Sequence, residues 1–153
     1  MPVGILTVLK KLKVKNVIIG KQFESSENYK EFIKLVKEKN IKVIATQAGE
    51  KISIEKDLFF DVIWPDSGKV INDNVLNNNS LVCKLVYKKF SVLFTGDIEE
   101  IAEKAILEKY KNNLNILRAD ILKVAHHGSK TSSIKELLEV VKPKIALIGV
   151  RRE

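Results

Sequence analysis

The chain has 153 residues, of which 45% are apolar and 30% charged, with 27 Lys and Arg against 19 Asp and Glu for a net charge of +8. That length and balance fit one soluble globular domain spanning 1–153 and argue against two, and no apolar run approaches the roughly 18 residues of a membrane span. The single cysteine, Cys83, excludes an internal disulfide and any metal cage built from cysteines alone.

In chain order, Ile5, Leu6, Val8, Leu9 and Leu12 have helical spacing, and 15–20 (KNVIIG) reads as a short buried strand. The opening segment MPVGILTVLKKLKVK does not have the order of a signal peptide, because its lysines follow its short apolar stretch and no small-residue cleavage site comes next. A soluble, cytoplasmic chain is the expectation. Residues 26–39 predict an amphipathic helix with Tyr29, Phe32, Ile33 and Val36 on one face and Ser25 or Ser26 as cap. A strand follows at Lys42–Thr46.

The middle of the chain is β-rich. Lys51–Glu55 alternates with period two, and Leu58–Trp64 is closed by the turn signal Pro65-Asp66-Ser67-Gly68. Residues 72–79, mostly Asn, predict loop. Residues 81–87 and 90–95 predict a hairpin across Lys88-Lys89, with Cys83 a buried strand thiol rather than a reactive one. Then come a helix over 98–110, a strand over 121–125, a helix over 132–141 and a strand over 144–150. Strands flanked by helices around a hairpin make the fold class α/β or layered α+β.

The basic balance, with an isoelectric point near 9.5, favours a polyanionic partner such as DNA, because each neutralised phosphate releases counterions. Much of the lysine is mixed with Glu on helices, as over 31–39, which is equally the pattern of a solvated face.

Two loops carry candidate chemistry, and both follow apolar strands. Val92-Leu93-Phe94 delivers Thr95-Gly96-Asp97, and 121–125 delivers His126-His127-Gly128-Ser129, which contains the only two histidines in the chain. Site residues in layered α/β proteins gather at strand ends, and carboxylate with imidazole suits a transition metal such as Zn²⁺ or Mn²⁺. Asp97 taken alone reads rather as the N-cap of the helix that begins near Ile98.

The strings NNNSLVCKLVYKKFSVLFTGDIEEIAEKAIL, ADILKVAHHGSKTSS and VKPKIALIGV together resemble the metallo-β-lactamase-like domain of ComEC-type DNA-uptake proteins over essentially the whole chain, residues 4–150. The resemblance implies an αββα sandwich with a divalent metal, Zn or Mn, at one edge of its two sheets. It also implies metal-assisted phosphodiester hydrolysis in intact relatives, which belong to membrane-associated DNA-uptake proteins. Asp97 and His127 are then the expected metal ligands and His126 a catalytic residue, with the choice of ligand between the two histidines left open. Asn79, Ser80, Ser129 and Lys130 are the expected substrate-binding residues. Asn78, Asn79 and Ser80 stand near the place where many superfamily members carry a middle histidine.

Family members also carry an early His-x-His-x-Asp-His or His-x-Asp-x-Asp-His motif and a late Gly-His-Pro segment. Neither occurs here, and Met1-Pro2-Val3-Gly4 stands close to where the helix after the first motif should start. The expectation is an incomplete, N-terminally truncated sandwich that lacks its first strands and most of its metal ligands. Such a chain would be weak or inactive alone, and would pair through an uncovered sheet edge with a second copy or another chain. A non-catalytic nucleic-acid-binding or assembly module and a truncated gene product are the competing expectations.

Overall fold

The computed structural model describes residues 3–21 and 27–150. The fold is mixed α/β, as the alternation of elements implies. It divides into two compact units, Met1–Thr46 and Gln47–Glu153.

In the first unit, helix α1 (Val3–Lys11) and strand β1 (Asn16–Gly20) are followed by helix α2 (Glu27–Glu38) and strand β2 (Lys42–Thr46). The two strands run parallel, with Val17 opposite Val43 and Ile19 opposite Ala45. Leu6 and Leu9 of α1, Val17, Phe32 and Leu35 of α2, and Ile41 form its core. The apolar face read from α2 is the one that packs, with Leu35 added to it. Lys39 donates from Nζ to the carbonyls of Leu9 and Lys10. It thereby places a cation on the negative end of the α1 dipole, where the last carbonyls have no helical partner. Ser25 and Ser26, the expected caps of α2, lie outside the described residues.

The second unit is built on one six-stranded mixed sheet: β3 (Lys51–Glu55), β4 (Leu58–Trp64), β5 (Val82–Tyr87), β6 (Phe90–Phe94), β7 (Ile121–Lys123) and β8 (Ile145–Leu147), neighbours in that order. The pairings from β3 to β6 are antiparallel, and those from β6 to β8 are parallel. The parallel crossovers run through helix α4 (Glu100–Lys109) and helix α5 (Lys135–Val141). Ala102, Ala105 and Ile106 of α4 pack with Leu137 and Val141 of α5 onto Ile63, Trp64, Val82, Leu93 and Leu122 of the sheet. Two alanines on α4 give its packing face little bulk. β3 and β8 are the sheet edges. On β8, Ile145 and Leu147 stay half exposed.

Several sequence boundaries move, each for a local reason. Residues 72–79 are not all loop, because one helical turn, α3 (Val75–Asn78), lies within them. The asparagines hold it there. Asn79 donates from Nδ2 to the carbonyls of Ile71 and Val75 and accepts from the Ile71 amide, while Trp64 donates its indole N–H to the Asn78 carbonyl. The helix expected from 98 starts at Glu100, because Glu99 is extended (φ −116°, ψ 176°) and is itself the N-cap. The helix expected from 132 starts at Lys135, because Ser133 is left-handed (φ 65°). The amides of Ser133 and Ile134 donate instead to the carboxylate of Glu103, which is fully buried on α4. Burial pushes the Glu103 carboxyl up, and the two amide donors pull it down.

Cys83 is half-buried on β5, and burial pushes its thiol up to about 11, which keeps it out of the thiolate form. No helix among the described residues is long and apolar enough to cross a membrane.

Replacing Asn79 by Ala strands the Ile71 amide and carbonyl in the interior. A loss of about 1–3 kcal/mol is expected, read from urea unfolding midpoints. Acid stability gives a second check. Lys109 donates to the Asp66 carboxylate and, with the Gly68 amide, holds its pKa below the ordinary value. That contribution is present above the ordinary carboxylate value and lost as pH falls through the lowered one. The variant Asp66→Asn should therefore lose less stability than wild type between pH about 5 and 3, measured by urea unfolding across that range.

Candidate functional site

The parallel register brings three loops to one end of the sheet. Phe94 lies opposite Lys123, and Lys123 opposite Leu147, so β6, β7 and β8 end together. Beyond them the chain continues as Thr95-Gly96-Asp97, as Ala125-His126-His127-Gly128 and as Ile148-Gly149. Thr95 is buried and donates from Oγ1 to the Lys123 carbonyl at 2.6 Å, and the His126 amide donates to the Gly96 carbonyl at 3.1 Å. The Val124 amide donates to the Leu147 carbonyl, so all three loops are tied by main-chain bonds.

Gly96 is required where it stands. Its φ is +58°, and a Cβ there would lie 2.8 Å from Ser80 Cβ. With Glu99 as the cap of α4, Asp97 is released from the N-cap role that its position allowed. Its carboxylate is 40% exposed and lies 3.7 Å from His127 Nε2.

His126 and His127 both adopt left-handed backbone (φ 45° and 55°), and Gly128 follows at φ 79°. Such conformations cost non-glycine residues about 1–2 kcal/mol each, and they cluster where the surrounding structure over-determines them. The restraints are visible. The Ser129 amide donates to the His126 carbonyl, and Ser132 Oγ donates to the carbonyls of Ala125 and Ser129. His127 Nδ1 lies 2.8 Å from the Gly149 carbonyl, which accepts its proton and leaves Nε2 as the lone-pair nitrogen facing Asp97.

Glu99 was not singled out by the sequence, yet it joins three segments. Thr131 Oγ1 donates to its Oε1 at 3.1 Å, and Asn78 Nδ2 approaches Oε2 at 3.4 Å. Its own amide donates to Asn78 Oδ1, and its Oε1 lies 3.3 Å from His126 Nδ1. The Asn74 side chain first, then Thr131, the charge of His126 and Asn78, hold its carboxyl below the ordinary value against the opposing effect of burial. Residue type offers no signal here, since Glu99 and Glu100 stand side by side as first-turn acids.

The expected substrate-binding residues divide. Ser80 packs beside Gly96 and donates to the Leu76 carbonyl, next to the Asp97 turn. Ser129 Oγ bonds Thr131 Oγ1 at 3.0 Å, and Lys130 is exposed on the same loop. Asn79 is only 3% exposed and its amide is spent on main chain, so it shapes the loop from behind.

A single ion with bonds of about 2.0–2.2 Å places two of its donors roughly 3–3.5 Å apart. Asp97 and His127 are near that spacing, and a ligating histidine commonly donates its other N–H to a backbone carbonyl, as His127 does to Gly149. These two form a half-set. Among the described residues no group of three His, Cys, Asp or Glu side chains is placed to hold a metal ion. Two donors fall short of the three that a catalytic ion needs, so no hydrolytic step follows from these residues alone.

No protein-family model matches the chain. It is similar to ComE operon protein 3 of Bacillus subtilis (strain 168), 33% identical over 142 residues that cover 93% of this chain and 17% of that protein. It is 41% identical over 95 residues to uncharacterized protein YcaI of Escherichia coli (strain K12), covering 62% of this chain and 12% of that one. It is 34% identical over 88 residues to competence protein ComA of Neisseria gonorrhoeae, covering 58% and 12%. The first and last of these are competence-related proteins. The chain spans less than a fifth of the length of each.

Placing a methyl group at Gly96 tests the packing of the site directly. Gly96→Ala should destabilise the chain by about 1–3 kcal/mol, through the left-handed φ and the clash with Ser80, as read from unfolding midpoints. Gly68→Ala, where the nearest atom to an added Cβ is 3.8 Å away, is the control expected to change little.

Proposed function

We propose that this chain is the metallo-β-lactamase-like part of a DNA-uptake protein, a single incomplete αββα domain carrying half of a metal-dependent phosphodiester-hydrolase site. One observation carries the reading. Asp97 and His127, from the ends of adjacent parallel strands, face each other with the His127 Nδ1 proton spent on Gly149, which leaves Nε2 and the carboxylate open to a shared ion. Similarity to competence-related proteins over most of this chain supports DNA uptake as the setting.

In this reading Asp97 and His127 are ligands of Zn²⁺ or Mn²⁺, an ion whose contribution in such sites is to polarise the phosphodiester and lower the pKa of a bound water. The remaining ligands come from outside the set of residues gathered here, so the chain alone is weak or inactive. His126 handles a proton beside the ion, and Ser80, Ser129 and Lys130 line the approach of the phosphate backbone. The half-exposed apolar strand β8 offers an edge for pairing with a second copy or another chain.

A second reading, a nucleic-acid-binding module without catalysis, is favoured by Lys130. It is exposed on the site loop, with no carboxylate in ion-pair range among the described residues.

Calorimetric titration with Mn²⁺ and Zn²⁺ tests the first reading. Weak binding that disappears in both Asp97→Ala and His127→Ala is expected, and binding unchanged in either variant would overturn it. Fluorescence anisotropy with a single-stranded oligonucleotide separates the two. The module reading predicts affinity that falls steeply with salt and is unaffected by Asp97→Ala.

A further inference from the structure

His126 presents a conflict at the centre of the site. Its Nδ1 is buried and is the side-chain polar atom recorded without a hydrogen-bond partner among the described residues. It nevertheless lies 3.3 Å from Glu99 Oε1, inside ion-pair range but outside hydrogen-bond geometry. Leaving a buried donor or acceptor unpaired is costly, and the nearest group able to answer it is this carboxylate. Bonds that serve a site are often long or poorly aligned until the site is loaded.

The acceptor is better fixed than the ring. Glu99 stands at the N-cap position of α4 and exchanges bonds with Asn78 through both its amide and its carboxylate, and it accepts from Thr131. Those contacts come from two segments far apart in sequence, so the carboxylate cannot move without disturbing both. It is only 16% exposed. The His126 backbone is left-handed (φ 45°) where its ring comes within reach of this fixed oxygen.

From this arrangement we infer that Glu99 is a positioning residue, whose carboxylate accepts a hydrogen bond from the Nδ1–H of His126 and so fixes Nε2 as the lone-pair nitrogen of that ring. The inference rests on the reading of this end of the sheet as a site. It deepens that reading by giving the second histidine the same polarity as the first. His127 donates its Nδ1 proton to the Gly149 carbonyl, and on this inference His126 donates its own to Glu99 Oε1, 3.3 Å away. Both rings then keep the lone pair on Nε2, the protonation pattern that a metal ion or a proton-bearing substrate oxygen requires.

The chain has only two histidines, so imidazole ¹⁵N spectra resolve both rings, with His127→Ala assigning them. The spectra are taken on the full chain without added metal, at a pH where both rings are neutral. Wild-type His126 is expected as the Nδ1–H tautomer. In Glu99→Ala the tautomer ratio should move toward Nε2–H by roughly tenfold, the size of one charge-assisted hydrogen bond, while His127 keeps its own ratio. Glu99→Asp, which keeps the charge on a shorter arm, should restore part of the wild-type ratio. An Nε2–H tautomer at His126 in wild type would overturn the inference, and that measurement does not depend on any variant folding. So would an unchanged ratio in a folded Glu99→Ala. Metal titration decides the half-site of Asp97 and His127 separately, so the two can fail independently.

Discussion

In the parallel run β6–β7–β8, Phe94, Lys123 and Leu147 stand opposite one another in sequence along the sheet. Each strand can pass only two or three residues beyond that line before its chain turns away. The Thr95 hydroxyl on the Lys123 carbonyl and the Val124 amide on the Leu147 carbonyl hold the line at its ends. A slip of one residue on β7 would turn its alternating side chains to the opposite face and carry Leu122 out of the core. It would also carry the histidines away from Asp97. Register, enforced by burial of Leu93 and Leu122, is therefore the constraint from which the site geometry follows.

Within that frame the histidine loop stores strain. Two left-handed histidines cost about 1–2 kcal/mol each relative to ordinary backbone. The loop does not relax because it is bonded at both ends: the His126 amide to Gly96, the Ser129 amide back to His126, and Ser132 to Ala125 and Ser129. Glu103 secures the outgoing side by accepting the Ser133 and Ile134 amides. A buried carboxylate is costly to keep, and its two amide donors offset that cost where α5 would otherwise begin with free N–H groups. The core of α4 and the shape of the site loop are thus coupled through one side chain.

The strands were legible because period-two alternation, short apolar runs and the turn residues that bound them are properties of the chain itself. Lys51–Glu55 shows that alternation, and Leu58–Trp64, a β-rich run without it, was delimited by the turn signal that follows. What the sequence concealed depended on partners distant along it. The asparagines of 72–79 look like loop composition, and only their bonds to Ile71, Trp64 and Glu99 show why a helical turn sits there. Asp97 carried a cap signature, but the extended conformation of Glu99 moved the helix start two residues on. Glu103 was readable in principle, since it falls on the buried arc of α4 between Ala102 and Ala105, where an acid has no reason to be unless something answers it. Glu99 was not readable, because its neighbour has the same side chain and opposite surroundings.

The net charge of +8 divides in the same way between local and distant causes. Lys30, Lys34, Lys104, Lys111 and Lys135 each meet a Glu three or four residues away on their own helix. Exposed pairs of this kind contribute a few tenths of a kcal/mol to a helix and leave little field for a partner. Lys109 and Lys144 are held by Asp66 and Asp120. Lys135, which follows the histidine loop in sequence, therefore belongs with the solvated helix faces. Lys130 does not, because it projects from the loop that also carries Ser129 and Thr131 and is exposed there. A polyanion drawn by the overall charge would meet Lys130 beside the strand ends, on the same loop that carries the two imidazoles.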